Sequence, residues 1–339
     1  QSFSTDLNFD SVSFLSSFEC YLATLIESFD LPVRELAEHV LLGGGKRIRP
    51  LLVYTCGIGR SDTHEDLLKA ASVIEIVHVA TLVHDDILDH ADFRRNKPTL
   101  HSKVGDHTSI LLGDALFSFA LELASDFPES RICGIVSRAT RKTCSGEINQ
   151  SYCKGNFDLT ADEYFSIIQD KTGELFNASC SVGAFIGGLS PNLIDLVGEF
   201  GTSLGLNYQI YDDLIDTFGN DSYFGKTLGS DLQTGKLTLP IIRLLEVLPK
   251  ESRLSLKSDF IHGDFNLDFK KYLGQLFIEY NIHEICFSEL ESRLSISKFI
   301  ASNIPDLKLS ARLTSFISSF DNKLGKLASN LLPNFLALN

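Results

Sequence analysis

The spacing of apolar residues predicts helices along most of the chain. One stripe keeps to a single helix face, at offsets of 0, 4, 7, 11, 14, 15 and 18 residues: Leu67, Ala71, Ile74, His78, Thr81, Leu82 and Asp85. The same pattern predicts helices over segments 158–187, 193–218, 236–248, 266–301 and 307–332. The stretch to about residue 40 is expected to be helical too, and alternating strand patterns are scarce.

No charge block, proline-rich spacer or Gly/Ser tract separates these segments, so nothing in the sequence marks a linker. Glycine and proline together are also few, which favours a helical class. We therefore predict one all-α domain over residues 1–339, built from roughly ten or more helices.

Composition narrows the function classes. The net charge is −14, which argues against nucleic acid as a partner because such proteins need a basic face. We expect no transmembrane segment, since we find no uninterrupted apolar run of about 18 residues. The first ten residues carry two aspartates and no positive charge, unlike a secretory signal. Seven cysteines without a C-x-x-C pair suggest reduced thiols, and hence a cytoplasmic location.

Two copies of the pattern Asp-Asp-x-x-Asp are the strongest chemical signal. The first comprises Asp85, Asp86 and Asp89, and the second comprises Asp212, Asp213 and Asp216. On a helix the first and last members share a face, where like charges repel. A solvated acidic face would explain one copy, but a chance pair is expected only about 0.01 times in a chain of this composition. Oxygen ligands without His or Cys favour a hard cation, and we predict Mg²⁺.

Basic residues gather near these clusters or near glycine and proline: Lys46, Arg47, Arg49, Arg94, Arg95, Lys97, Lys171, Lys226 and Lys236. Each one alone could simply favour the negative end of a helix dipole. Together with two acidic clusters, they predict two phosphorylated substrates. One would be bound through metal and lysine, and the other directly by arginine and lysine.

The ordered motifs of the chain resemble those of the trans-isoprenyl (polyprenyl) diphosphate synthases from about residue 20 to 325. The blocks are Gly44-Gly45-Lys46-Arg47-Ile48-Arg49-Pro50, Leu82 to Asp89, Arg94 to Thr99, Leu112-Gly113-Asp114, Gly146-Glu147, Lys171-Thr172, Gln209 to Asp216, Gly225-Lys226, and Ser230-Asp231 through Lys236 to Pro240. Two departures are Asn96 in place of the usual Gly and Tyr208 in place of the common Phe. Residues from about 324 to 339 have no counterpart and would form a C-terminal extension.

The resemblance implies an all-α fold around a deep central cavity, usually in a homodimer. It implies head-to-tail condensation of isopentenyl diphosphate with an allylic diphosphate, without a membrane span. Peripheral contact with a membrane through the lipid product is the alternative to a purely cytoplasmic location. Asp85 and Asp89 would bind two Mg²⁺ and Asp212 a third, with Asp86, Asp213, Asp216 and Asp231 close by. The other implied contacts are Arg94, Lys171, Lys226 and Lys236 to the allylic diphosphate; Lys46, Arg49, His78 and Arg95 to isopentenyl diphosphate; and Thr172 and Gln209 to the allylic carbons.

The most detailed prediction concerns the length of the product. The growing chain would pass the residues four, five and eight positions before Asp85, which are Thr81, Ala80 and Val77. In the family, short-chain enzymes carry bulky aromatic residues at the first two of these positions. The resemblance therefore implies a product of about C30 or longer. Close helix packing is the alternative reason for the small side chains, and a geranylgeranyl or farnesyl diphosphate synthase is the alternative function.

Three other classes fit less well. A non-catalytic partner subunit usually loses Asp or Lys from these motifs, whereas both clusters are whole here. A class I terpene cyclase would carry a different second metal motif and lack the Lys46–Arg49 site. A di-iron bundle needs Glu-x-x-His pairs on its helices, and we find none near the clusters.

Overall fold

A computed structural model shows a helical protein, as the apolar spacing predicts. The structure describes residues 9–59, 62–94, 97–219, 230–262 and 267–337. The first half contains α1 (Phe9–Ile26), α2 (Val33–Leu41), α3 (Ile48–Gly57), α4 (His64–Leu88), α5 (Leu100–Val104), α6 (Asp106–Ser125) and α7 (Ser130–Tyr152). Between α4 and α5, strands β1 (Phe93–Arg94) and β2 (Lys97–Pro98) pair antiparallel.

The second half begins with α8 (Ala161–Ile168), a π-helical segment (Gln169–Gly173) and α9 (Glu174–Ile186). The helices that follow are α10 (Pro191–Phe218), α11 (Ser230–Gln233), α12 (Leu239–Val247), α13 (Lys250–His262), α14 (Leu267–Glu279), α15 (Ile282–Ser302) and α16 (Leu307–Ala337).

Two predicted helices are interrupted. Segment 158–187 changes from α to π geometry at Gln169, and segment 266–301 divides into α14 and α15. The division falls at Asn281, whose φ of 52° is left-handed and cannot continue a helix. Six helices were not among the segments that the apolar spacing singled out: α3, α5, α6, α7, α11 and α13.

The acidic clusters lie on two long helices of the core, α4 and α10. Helix α4 packs mainly against α6 and α3, and α10 packs mainly against α9 and α15. Fourteen residues of α4 are buried, among them Val73, Ile76 and Val77. In both helices the acidic cluster lies in the last turns, at the carboxyl-terminal end.

Two helices are long and apolar enough to cross a membrane by length and composition, α4 and α6. The expectation of no transmembrane segment stays a prediction, because the core helix of a globular protein passes the same test. In α4, 72% of the most apolar window is buried inside the protein, as in the core helix of a globular fold, and in α6 the share is 44%.

Candidate active site

The first acidic cluster ends helix α4. Asp89 caps the helix, and its backbone N–H donates to the Asp85 carbonyl at 2.9 Å. Asp86 is buried, and its Oδ1 accepts a hydrogen bond from Arg94 Nε at 2.7 Å. This pair ties the β1–β2 hairpin back to α4, so in this structure Arg94 holds a carboxylate of the cluster.

Two lysines from distant parts of the chain meet the other two aspartates. Lys236 Nζ lies 2.5 Å from Asp89 Oδ2. Lys171 pairs with Glu147 and interacts electrostatically with Asp85. Burial raises the pKa of Asp85 to about 6, opposed mainly by Lys171 and reinforced by Glu147. The first cluster is thus a set of carboxylates enclosed by cations.

The π-helical segment carries Lys171 and Thr172. Its extra residue per turn interrupts the α pattern, a feature that is frequent at functional sites. Lys171 Nζ donates to Gln150 Oε1 on α7 at 2.8 Å, while Thr172 Oγ1 donates to Gln209 Oε1 on α10 at 2.7 Å. Gly146 allows this approach because a side chain there would collide with the Lys171 backbone. Adjacent residues thereby reach two different helices.

The second acidic cluster, on α10, is held by neutral groups. Asp213 is buried and accepts hydrogen bonds from the Tyr164 hydroxyl at 2.6 Å and from Gln209 Nε2 at 2.8 Å. Burial, reinforced by Asp231 and Asp212, raises the pKa of Asp213 to about 8. Asp216 is also buried, and its Oδ2 accepts from the Asp231 backbone N–H at 3.2 Å. Asp212 is half-buried and interacts with Arg49.

The donor set fits a divalent cation that completes its coordination with substrate oxygens. Within the described parts of the chain, no three Asp, Glu, His or Cys side chains are arranged to hold an ion by themselves. Asp89 Oδ1 is buried without a hydrogen-bond partner, so a carboxylate oxygen is available for another ligand. Mg²⁺ commonly binds one or two carboxylates and takes its remaining ligands from water and phosphate.

A second group of basic residues, apart from Lys171 and Lys236, lies at the start of α3. Lys46 Nζ donates to the Tyr208 hydroxyl at 3.0 Å, and the Arg49 guanidinium lies 4.6 Å from the centre of the Phe176 ring. The two rings are neighbours, with centroids 5.7 Å apart. Lys46 and Arg49 are therefore brought together on one aromatic surface, which continues into α16 through Phe320.

Arg47 makes different contacts from Lys46 and Arg49. It is buried with a left-handed φ of 48°, and its Nη1 and Nε bond to Glu75 and Glu19, both at 2.7 Å. Glu75 is buried on α4, three residues before His78. Arg47 thus anchors the Lys46–Arg49 segment to the helix that carries His78, which is half-buried.

The three residues predicted to set product length lie on α4. Val77 and Ala80 are buried, and Thr81 is half-buried, with its hydroxyl donating to the His78 carbonyl at 2.7 Å. Arg95 and Lys226 fall outside the residues that the structure describes.

Comparisons with known proteins agree with this arrangement. The sequence model described as "Polyprenyl synthetase" matches residues 32–266. The chain belongs to the polyprenyl synthetase family. It is therefore a prenyltransferase of the trans-prenyl diphosphate synthase type, in a family that uses divalent metal.

Relatives of this polyprenyl synthetase family member make products of different lengths. The chain is 36% identical over 232 residues to heptaprenyl diphosphate synthase component 2 of Geobacillus stearothermophilus, covering 68% of this chain and 72% of the relative. It is 35% identical over 224 residues to a short chain isoprenyl diphosphate synthase of Methanocaldococcus jannaschii, covering 65% and 68%. These matches do not decide product length.

A solved structure of the same family superposes on most of the chain. Polyprenyl synthase from Caulobacter crescentus, complexed with calcium and isoprenyl diphosphate, has a TM-score of 0.84 and 26% identity. The match covers 91% of this chain and 94% of that one.

Three residues at the site received no role from the sequence: Glu147, Gln150 and Tyr164. Arg47, which the sequence grouped with the basic residues expected to bind phosphate, is instead buried and bonded to Glu19 and Glu75. Glu147 and Gln150 pair with Lys171, and Tyr164 pairs with Asp213. Glu147 belongs to the Gly146-Glu147 motif, so the sequence pointed to this residue but not to its ion pair with Lys171. Tyr164 lies 49 residues from Asp213, and only the fold shows that they touch.

Proposed function

We propose that the enzyme condenses isopentenyl diphosphate head to tail with an allylic diphosphate, using Mg²⁺, to give an all-trans polyprenyl diphosphate of about C30 or longer. The observation that carries this proposal is the meeting of Asp85 and Asp89 with Lys171 and Lys236 from separate elements. Carboxylates for a metal and lysines for a phosphate stand together at one end of α4.

In this proposal Asp85, Asp89 and Asp212 hold the metal, with about three ions in each site. When bound, Mg²⁺ stabilises the negative charge that develops on the departing diphosphate. Calcium accompanies isoprenyl diphosphate in the Caulobacter structure, which supports a divalent ion beside this substrate class. Asp89 Oδ1, which is buried and has no hydrogen-bond partner, supports the assignment within this chain.

Lys171 and Lys236 bind the allylic diphosphate, together with Arg94 and Lys226. Lys236 is buried and Lys171 is fixed by Gln150, so both ammonium groups are ordered before substrate arrives. Thr172 and Gln209 hydrogen-bond each other and line the path of the allylic carbons. Stabilising the leaving group more than the bound substrate lowers the barrier to ionisation.

Lys46, Arg49, His78 and Arg95 bind isopentenyl diphosphate. Support comes from the aromatic surface that gathers Lys46 and Arg49, since arginine gives planar contacts to phosphate oxygens. The nucleophilic double bond then attacks the allylic cation, and the released diphosphate takes the proton. The apolar residues along α4 exclude water from the cation.

Product length depends on the small side chains before Asp85. Ala80 and Val77 are buried and Thr81 is half-buried. None of the three is a bulky aromatic residue that would block the growing chain. If the chain grows along this face, Ala80→Phe shortens the main product, measured by chromatography after incubation with farnesyl diphosphate and labelled isopentenyl diphosphate. Unchanged length would remove Ala80 from the path, and a C20 wild-type product would favour a geranylgeranyl diphosphate synthase.

The enzyme is further proposed to act as a homodimer in the cytoplasm. Exposed apolar residues on α6 and α7 support a partner surface: Ile110, Leu111, Ile148 and Tyr152. The name of the Geobacillus relative, a "component 2", raises a heteromer as the alternative. Light scattering of the purified chain distinguishes the two, because a homodimer forms without a second protein.

The proposed function itself is tested by consumption of labelled isopentenyl diphosphate by the chain alone. We expect turnover with Mg²⁺ and its loss with EDTA. No turnover with any of the C10, C15 or C20 allylic primers would instead support a non-catalytic partner subunit.

A further inference from the structure

A third lysine stands at the first acidic cluster, in the turn that follows α7. Lys154 Nζ lies 4.0 Å from Asp89 Oδ1, on the opposite oxygen from Lys236. Lys154 and Lys236 come from different parts of the chain, yet they flank one carboxylate. The family motifs that identify the site do not include Lys154.

The backbone holds Lys154 in this place. Gly155 N–H donates to the Gly235 carbonyl at 2.8 Å, which joins the turn after α7 to the turn that precedes Lys236. Both glycines have positive φ, 70° and 80°, a conformation that other residues rarely adopt. Because each lysine is next to one of these glycines, the hydrogen bond holds the backbones of Lys154 and Lys236 side by side.

Lys154 is close to Asp89 without being bound to it. At 4.0 Å the two atoms attract each other but are too far apart for a hydrogen bond, and Asp89 Oδ1 has no hydrogen-bond partner. The lysine side chain is 29% exposed, whereas Lys236 is 7% exposed. Lys154 therefore has an ammonium group at the cluster that keeps its freedom to contact a ligand.

We propose that Lys154 is a further binding residue for the diphosphate of the allylic substrate, an inference that rests on the proposed function. Once Asp89 takes part in metal binding, it no longer needs Lys154 as a counter-charge. The ammonium group then faces the diphosphate beside Lys236 and donates a charge-assisted hydrogen bond to a phosphate oxygen.

The test compares Lys154→Gln, which removes the charge at similar length, with Lys154→Arg, which retains it. Lys69→Gln is the matched control, because Lys69 is also an ion-paired lysine, 3.2 Å from Asp126, and 20% exposed. Two quantities are measured: the KM for each substrate, and the Kd of inorganic pyrophosphate by calorimetry with Mg²⁺. The second needs no turnover.

Lys154→Gln should raise the allylic KM and the pyrophosphate Kd about tenfold, the loss expected for one charge-assisted contact. The KM for isopentenyl diphosphate should change less than about twofold, and Lys154→Arg and Lys69→Gln should resemble the wild type. An unchanged pyrophosphate Kd in an active Lys154→Gln enzyme would overturn the inference and leave the proposed function standing. Failure of the proposed function shows differently, as a wild type that does not consume isopentenyl diphosphate.

Discussion

The two acidic clusters share one sequence pattern but have different surroundings. The first has cations around it: Arg94 bonds Asp86, Lys236 bonds Asp89, and Lys171 acts on Asp85. In the second, the buried Asp213 is held by a phenol and an amide. Burial raises the pKa of Asp213 to about 8 and that of Asp85 to about 6, so the carboxyl among neutral donors is shifted further.

This difference separates two uses of a buried carboxylate. An aspartate beside a cation keeps its charge and can exchange the cation for a metal ion. An aspartate among neutral donors and other carboxylates favours its protonated form. In our proposal the outer members of the pattern, Asp85, Asp89 and Asp212, bind metal, whereas the middle member on α10, Asp213, links Tyr164 to Gln209. We expect the members of the two clusters to respond unequally to substitution.

The largest expected effect is on turnover. Asp85→Asn should lower kcat at least about a hundredfold, because it removes a proposed metal ligand at the point where charge develops. Asp213→Asn should cost no more than about tenfold, because the asparagine Oδ1 still accepts from Gln209, and its Nδ2 can donate to the Tyr164 oxygen once the tyrosine hydroxyl turns its own proton away. Steady-state kinetics at saturating Mg²⁺ measures both, and equal losses would contradict the distinction between the clusters.

A smaller effect is expected on stability. Tyr164→Phe leaves Asp213 without one of its two hydrogen-bond donors and should lower the free energy of unfolding by about 1–3 kcal/mol, measured by urea denaturation. The exposed Tyr272 provides the control, and Tyr272→Phe should stay within about 0.5 kcal/mol of the wild type. If both variants lost the same amount, the Tyr164–Asp213 bond would contribute nothing of its own.

Helix type and the acidic clusters followed from local pattern, because a period of 3.6 residues and an Asp-Asp-x-x-Asp spacing are visible within a few turns. The π geometry at Gln169–Gly173 left no such mark, since it depends on packing between α7 and α10. The break at Asn281 interrupts an otherwise continuous apolar pattern by a single left-handed residue. The local sequence permits more than one conformation at the π segment and at Asn281, and tertiary packing selects the one observed.

At the site, the sequence identified the charged residues better than their partners. Lys171 and Lys236 were assigned to a diphosphate, and the structure places both beside carboxylates of the first cluster or its neighbour Glu147. Arg94 was assigned to substrate but bonds Asp86 here. Charges that are distant in sequence attract one another in the folded chain, and motif spacing alone does not reveal which pairs form.

The last prediction concerns pH and sharpens the contrast at Asp213. Its pKa rises from 3.8 when exposed to about 8 in the fold, so between these values the folded state binds more protons than the unfolded state. This contribution to stability is complete below about pH 4 and is lost as pH rises through 8, so the folded state becomes progressively less stable across that range.

Asp213→Asn cannot lose a proton and should escape this decline. In EDTA, the Tm of the variant minus that of the wild type should therefore increase from pH 5 to pH 8, by about 2 °C or more. A difference that stays constant or decreases would mean that Asp213 is ionised in the fold, and that the second cluster resembles the first.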